Sequence, residues 1–227
     1  MAKALFITGT GTDVGKTFVT GLIVKKLKDS GKNAAYYKAA MSGNPRRPDG
    51  SPIPGDARYV KEISGITQPL SSMCPYVYET AVSPHLASRL EGNPVRMEVV
   101  REGFYKLMAQ YDYVTMEGSG GILCPLCFDE GELWLEDVIQ TLGLSCLIVA
   151  DAGLGTINSV VLTTEYLRAK HIPVKGILFN HFHPEDVMEE DNLRMCEHRT
   201  GLPVLACVRE GGTELDMDPK ILAGLYE

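Results

Sequence analysis

No stretch of this 227-residue chain approaches the roughly 20 consecutive apolar residues that a bilayer-spanning helix needs. The start of the chain offers one lysine and a short apolar run, Ala4 to Ile7, broken at Thr8. That run is too short for the core of a secretory signal. A basic excess is also missing. The 22 Lys and Arg against 29 Asp and Glu leave a formal charge of −7, which argues against a general nucleic-acid binder. It leaves room for a local basic pocket that takes phosphates. Six cysteines (Cys74, Cys124, Cys127, Cys146, Cys196 and Cys207) stand without an export context, so reduced thiols in the cytoplasm are expected. Cys146 sits in an apolar run and reads as a core residue. Cys124 and Cys127 have zinc-ligand spacing, but no second Cys pair accompanies them. His181 and His183 flank Phe182 with nothing nearby in the sequence to complete a metal set, and read as loop residues. No Ser-His-Asp arrangement, internal repeat, low-complexity tract or linker can be recognised. One domain covering 1–227 is expected.

What is present alternates from end to end. Hydrophobic residues make up 44% of the chain, enough for a sizeable core. Apolar runs at Lys3–Thr8, Ala34–Lys38, Tyr113–Met116, Leu144–Ala150, Val174–Asn180 and Val204–Val208 read as strands. Phe18, Val19, Leu22, Ile23 and Leu27 recur at helical spacing, with Gly31 as a stop. Further helices are expected at 57–64, 84–91, 96–110, 135–142, 156–170 and 188–200. Residues 42–55 hold four prolines and three glycines and read as a loop. Strands separated by helices, and strands apolar throughout, predict an α/β fold: a parallel sheet covered by helices on both faces, in three layers. Ligands then bind beyond the carboxyl ends of the strands.

Gly9-Thr10-Gly11-Thr12-Asp13-Val14-Gly15-Lys16-Thr17 is the strongest motif. Gly9 stands one residue early for the strict P-loop pattern, so this is a variant phosphate loop between a strand and a helix. Glycines let backbone N–H groups approach phosphate oxygens. The helix start adds unpaired donors and a positive dipole end. Lys16 can bridge outer phosphates, and the Thr17 hydroxyl can ligate Mg²⁺.

Other residues fall at strand ends. Glu117 precedes Gly118-Ser119-Gly120-Gly121 and could hold Mg²⁺. Lys38 ends the second strand and could neutralise a transferring phosphoryl group. Asp56 fits either a metal carboxylate or a helix N-cap. Gly153 to Asn158 opens a helix, where exposed N–H groups suit a carboxylate or phosphate. Asn180 ends a strand with an amide able to donate and accept, as base recognition requires.

Together, the Gly9–Thr17 loop, Tyr37-Lys38 with Ser42-Gly43, Glu117-Gly118 with Gly120-Gly121, Gly155 to Asn158, and Asn180 resemble the motifs of the dethiobiotin synthetase family. They follow that family's order from residue 9 to about 180. The loop alone would point only to the wider P-loop nucleoside triphosphate hydrolases. The resemblance implies an ATP-dependent carboligase of biotin synthesis. Such an enzyme closes the ureido ring of dethiobiotin from 7,8-diaminopelargonic acid (7,8-diaminononanoate) and CO₂, with ADP and phosphate as products. It further implies Mg²⁺, and a homodimer with substrate at the subunit interface.

Residue by residue, the resemblance puts nucleotide contacts at Asp13, Val14, Gly15, Lys16, Thr17 and Phe18, and at Glu117, Gly118, Ser119 and Gly120. Asn180 would lie at adenine. Metal contacts fall to Thr17, Asp56 and Glu117, and catalytic assistance to Lys16 and Lys38. Thr12, Asp13 and Ser42 would face the diamine and its carbamate. Gly155, Thr156, Ile157 and Asn158 of the second subunit would hold the substrate's distant carboxylate.

The chain departs from the family pattern at Ala39, where proline is usual, in the long loop from Asn44 to Gly55, and in Arg209–Thr213. A partitioning-type ATPase is the competing reading. It would carry a second lysine near Gly11, which is glycine here. An amidotransferase-linked ligase would need a glutaminase part that 227 residues do not accommodate.

Overall fold

The computed structural model describes residues 2–129 and 131–227. Its centre is a sheet of six parallel strands in the order β10-β9-β8-β1-β5-β2. These are β1 (Lys3–Gly9), β2 (Ala34–Lys38), β5 (Tyr113–Glu117), β8 (Cys146–Asp151), β9 (Val174–Phe182) and β10 (Val204–Arg209). Two small pairs lie outside the sheet: parallel β3 (Ala40–Met41) with β4 (Tyr76–Val77), and antiparallel β6 (Pro125–Cys127) with β7 (Leu133–Trp134).

The period-two alternation of strands assigns each residue to a face. Leu5, Ile7, Tyr36, Leu147, Val149 and Leu178 pack on one side. There they meet α1 (Lys16–Asp29), α2 (Gly55–Ser64) and α8 (Pro219–Gly224). Ala4, Phe6, Tyr37, Val114, Met116 and Ile148 face the other side, against α3 (Pro84–Leu90), α4 (Met97–Met108), α5 (Leu135–Leu142) and Leu167 of α6 (Thr156–Ala169). The outer half of that face, Ala150, Ile177 and Phe179, is covered by Val160 of α6 and Cys196 of α7 (Val187–Thr200). Both faces of the sheet are therefore buried, as the uninterrupted apolar strands require.

The six expected strands and the helices from α1 to α7 are present, with shifts of one or two residues at their ends. Three features differ from the sequence reading. α2 starts at Gly55 with Pro54 at its N-cap position, so Asp56 sits inside the first turn and is not the cap. β9 runs two residues past Asn180, so Asn180 does not end its strand and His181 lies in it. The small strand pairs and α8 carry too few residues to show a period. The long loop is closed by Asn44, whose Oδ1 accepts from Gly55 N at 2.8 Å while its Nδ2 donates to Tyr78 O at 2.9 Å.

Candidate active site

Parallel pairing brings the strand ends to one edge of the sheet. Ile7 of β1 and Lys38 of β2 both stand in register with Glu117 of β5. The chain then turns away from each strand, and the turns enclose a cavity of about 800 Å³. The phosphate loop forms one wall, from Thr12 and Asp13 through Gly15, Lys16, Thr17 and Phe18. Lys38, Ser42 and Asp56 form the second, and Glu117, Ser119 and Gly120 the floor.

Two glycines are required by close approach. A Cβ on Gly9 would stand 2.8 Å from Lys16 Cδ, and one on Gly118 would stand 2.8 Å from Leu135 and 3.0 Å from Phe6. Gly118 N donates to Ile7 O at 2.9 Å, which ties the floor to β1. Ser119 Oγ donates to Ala40 O at 2.9 Å.

The chemistry concentrates on one ammonium. Lys38 Nζ lies 2.7 Å from Asp56 Oδ2 and 2.7 Å from Glu117 Oε1. Glu117 also accepts from Thr17 Oγ1 at 2.8 Å and, through its other oxygen, from the Tyr36 hydroxyl at 3.0 Å. The Lys38 and Glu117 side chains are buried, at 6% and 0% exposure, while Asp56 is open to the cavity at 41%. Burial alone would favour a neutral Lys38 amine. The Glu117 and Asp56 carboxylates outweigh it and hold the ammonium's pKa above its ordinary value.

Lys16 is the opposite case. Its Nζ donates to Gly11 O at 2.7 Å. Burial first, and the positive charge of Lys38 second, lower its pKa to about 8. A polyphosphate placed in the loop would favour the charged form. Nucleotide binding is therefore expected to take up about half a proton at pH 8, where Lys16 is half neutral, and none through this group near pH 6. Calorimetry in two buffers of different ionisation enthalpy reads this directly. An uptake no larger at pH 8 than at pH 6 would contradict it.

Seven expected contact residues do not line the cavity: Val14, Gly118, Gly155, Thr156, Ile157, Asn158 and Asn180. Val14 is buried behind the loop, and its carbonyl accepts from Asn180 Nδ2 at 3.2 Å. Asn180 is fully buried, and its Oδ1 has no partner among the described residues. Gly155, Thr156, Ile157 and Asn158 open α6 and do not line the cavity. The histidines expected in loops find carboxylates: His181 meets Asp151, and His183 meets Glu189 and Glu210. The zinc reading of Cys124 and Cys127 gains no third ligand, since the described residues contain no metal-binding cluster of His, Cys, Asp or Glu. All six cysteines are free thiols.

Sequence reasoning missed Tyr36, Tyr59, Leu123 and Cys124 as parts of the site. Tyr36 carried a signal: it stands two residues before Lys38 on one strand, hence on the same face. Cys124 lines the cavity, but burial pushes its thiol up to about 11, so it is not a thiolate at neutral pH.

A family model described as an AAA domain matches residues 3–211. The ATP-dependent dethiobiotin synthetase of Brachyspira hyodysenteriae is 45% identical over the whole of both chains. That of Clostridium botulinum strain Langeland is 43% identical over the whole of this chain and 99% of its own. Among solved structures, the MinC:MinD cell division complex of Aquifex aeolicus aligns with a TM-score of 0.57 at 16% identity, covering 92% of this chain and 82% of that one. A ParA family ATPase from Chlorobium tepidum aligns at 0.53 and 13%, covering 92% and 84%. These two likenesses show the fold, a P-loop nucleoside triphosphate hydrolase-like α/β sheet. No described helix is long and apolar enough to cross a membrane. With near half-identity along its full length to proteins of that one name, the chain belongs to the ATP-dependent dethiobiotin synthetase family.

Proposed function

We propose that this single 1–227 domain is a cytoplasmic, biotin-biosynthetic ligase that makes dethiobiotin from 7,8-diaminopelargonic acid, CO₂ and ATP. One observation carries the assignment of roles. The Lys38 ammonium is fixed between Asp56 and Glu117, in the cavity that the phosphate loop also lines.

The chemistry divides into positioning and charge neutralisation. One amine of the diamine adds CO₂ to give a carbamate. A carbamate oxygen attacks the γ-phosphorus, and ADP leaves. The second amine attacks the carbonyl carbon of the mixed anhydride, phosphate leaves and the ureido ring closes. No protein nucleophile is required. Loop N–H groups and Lys16 hold the polyphosphate, and Lys38 neutralises charge on the transferring phosphoryl group. Thr12, Asp13 and Ser42 line the cavity wall where the diamine and carbamate would lie. Asn180 spends its Nδ2 on Val14, leaving Oδ1 as the acceptor for an adenine amino group.

Mg²⁺ fits the oxygen set of the site. The Thr17 hydroxyl and Glu117 carboxylate converge at 2.8 Å, and an ammonium already sits between Glu117 and Asp56. Hard oxygen donors in small number, completed by phosphate oxygens and water, are what this ion prefers. Thr17, Asp56 and Glu117 would hold it, and it would neutralise phosphate charge. A homodimer would let the start of α6 in the second subunit receive the substrate's carboxylate. Leu154, Leu162 and Val187, at 91%, 62% and 82% exposure near the α6 and α7 helices, support a covered face there.

The test is the mass of the product formed from the diamine, ATP and labelled bicarbonate. One retained labelled carbonyl is expected, and ATP consumption should depend on the diamine. Hydrolysis indifferent to the diamine would overturn the reading.

A further inference from the structure

His181 follows Asn180 in β9 with a φ of 55°, in the left-handed region that residues with side chains rarely occupy. Such strain persists where the surroundings hold it, and it concentrates at ligand sites. Here the ring is held from one side. Its Nδ1 lies 2.7 Å from Asp151 Oδ2, and Asp151 Oδ1 accepts from Gly153 N at 2.8 Å. Asp151 ends β8 in register with Asn180, so both partners stand at the carboxyl edge of the sheet, where ligands of such folds bind. A carboxylate on Nδ1 fixes the ring's orientation and leaves Nε2 as its working atom. Among the described residues Nε2 has no hydrogen-bond partner. It lies 3.7 Å from the point where a side chain on Gly15 would begin, beside the turn that opens α1.

The group that Nε2 would meet follows from charge. Phosphates already have the loop N–H groups and Lys16. Asp151, with its side chain 48% exposed beside the ring, disfavours another anion. An imidazole that accepts, next to a carboxylate that accepts, suits a neutral group that donates and accepts: a sugar hydroxyl. We infer that the His181–Asp151 pair, beside Asn180 at the turn that opens α1, hydrogen-bonds a ribose hydroxyl of the bound nucleotide. This rests on the nucleotide reading of the loop and adds a contact at its nucleoside end.

The test compares three ligands on the full chain by calorimetry: ADP, 2′,3′-dideoxy-ADP and inorganic tripolyphosphate. His181→Ala is expected to weaken ADP about tenfold, the worth of one hydrogen bond, and to leave tripolyphosphate unchanged. The dideoxy nucleotide should bind wild type about tenfold more weakly than ADP and should lose nothing further in the variant, as a shared contact requires. His181→Asn, which tolerates the left-handed backbone, gives the same readings if the alanine variant folds poorly. Equal losses for ADP and tripolyphosphate would show that the ring acts through the loop and overturn the inference. Additive losses, or none, would overturn it as well. The wild-type chain's diamine-dependent ATP consumption is measured separately, so failure here leaves the proposed reaction standing.

Discussion

Lys38→Ala is expected to lower turnover about a hundredfold while leaving ADP affinity within a few-fold of wild type, because its charge is used most when phosphoryl charge develops. The geometry sets this apart from an ordinary lysine truncation. The ammonium bonds two carboxylates at 2.7 Å, and one of them is wholly buried. Removing it leaves Glu117, among the described residues, with only the Thr17 and Tyr36 hydroxyls as donors. Breaking a buried pair from one side costs on the order of 3 kcal/mol in stability, so a lower melting temperature should accompany the kinetic loss. The two effects separate by measurement. Folding loss lowers the active fraction and so scales turnover and binding stoichiometry together. A lost contact in the transition state lowers the rate per folded molecule at unchanged affinity. An equal fall in affinity and turnover per folded molecule would show that Lys38 serves ground-state binding, and the role proposed for it would be wrong.

How much of this was legible beforehand divides along physical lines. Strand apolarity and helix spacing report burial, and burial in a covered parallel sheet is nearly uniform, so the strands and α1 to α7 were readable. The phosphate loop was readable because its glycines answer to local backbone needs. The Lys38–Glu117 contact depended on register between β2 and β5, which no local pattern encodes; only the placing of both residues at strand ends hinted at it. Asp56 failed as a cap because Gly55, held by Asn44 from across the loop, begins the helix earlier. That bond joins positions separated by a proline-rich loop, and spacing alone does not reveal it. His181 was misread for the same reason. Asp151 and His181 are 30 residues apart in sequence and meet only because β8 and β9 are neighbours.

Gly15→Ala is expected to abolish most nucleotide binding, a loss of a hundredfold or more, through two separable causes. The first is conformational. Gly15 has φ 80°, and an alanine there costs about 1–2 kcal/mol. The second is steric: the new Cβ would stand 2.0 Å from Asn180 Nδ2. That amide is buried and bonded to Val14 O, so either Asn180 or the loop must move, and the loop is the freer of the two. Displacing it misdirects the N–H groups at the start of α1. Gly143→Ala isolates the first cause, since Gly143 has φ 64° with open space around it and caps α5 away from the cavity. It should lose about 1–2 kcal/mol of stability with ADP affinity intact. Asn180→Ala isolates the second. Combined with Gly15→Ala it removes the atom that the new methyl strikes, so the double variant should bind ADP more tightly than the product of the two single losses predicts. Additive losses, or wild-type affinity in Gly15→Ala, would mean that the contact between Asn180 and the loop does not set the shape of the phosphate site.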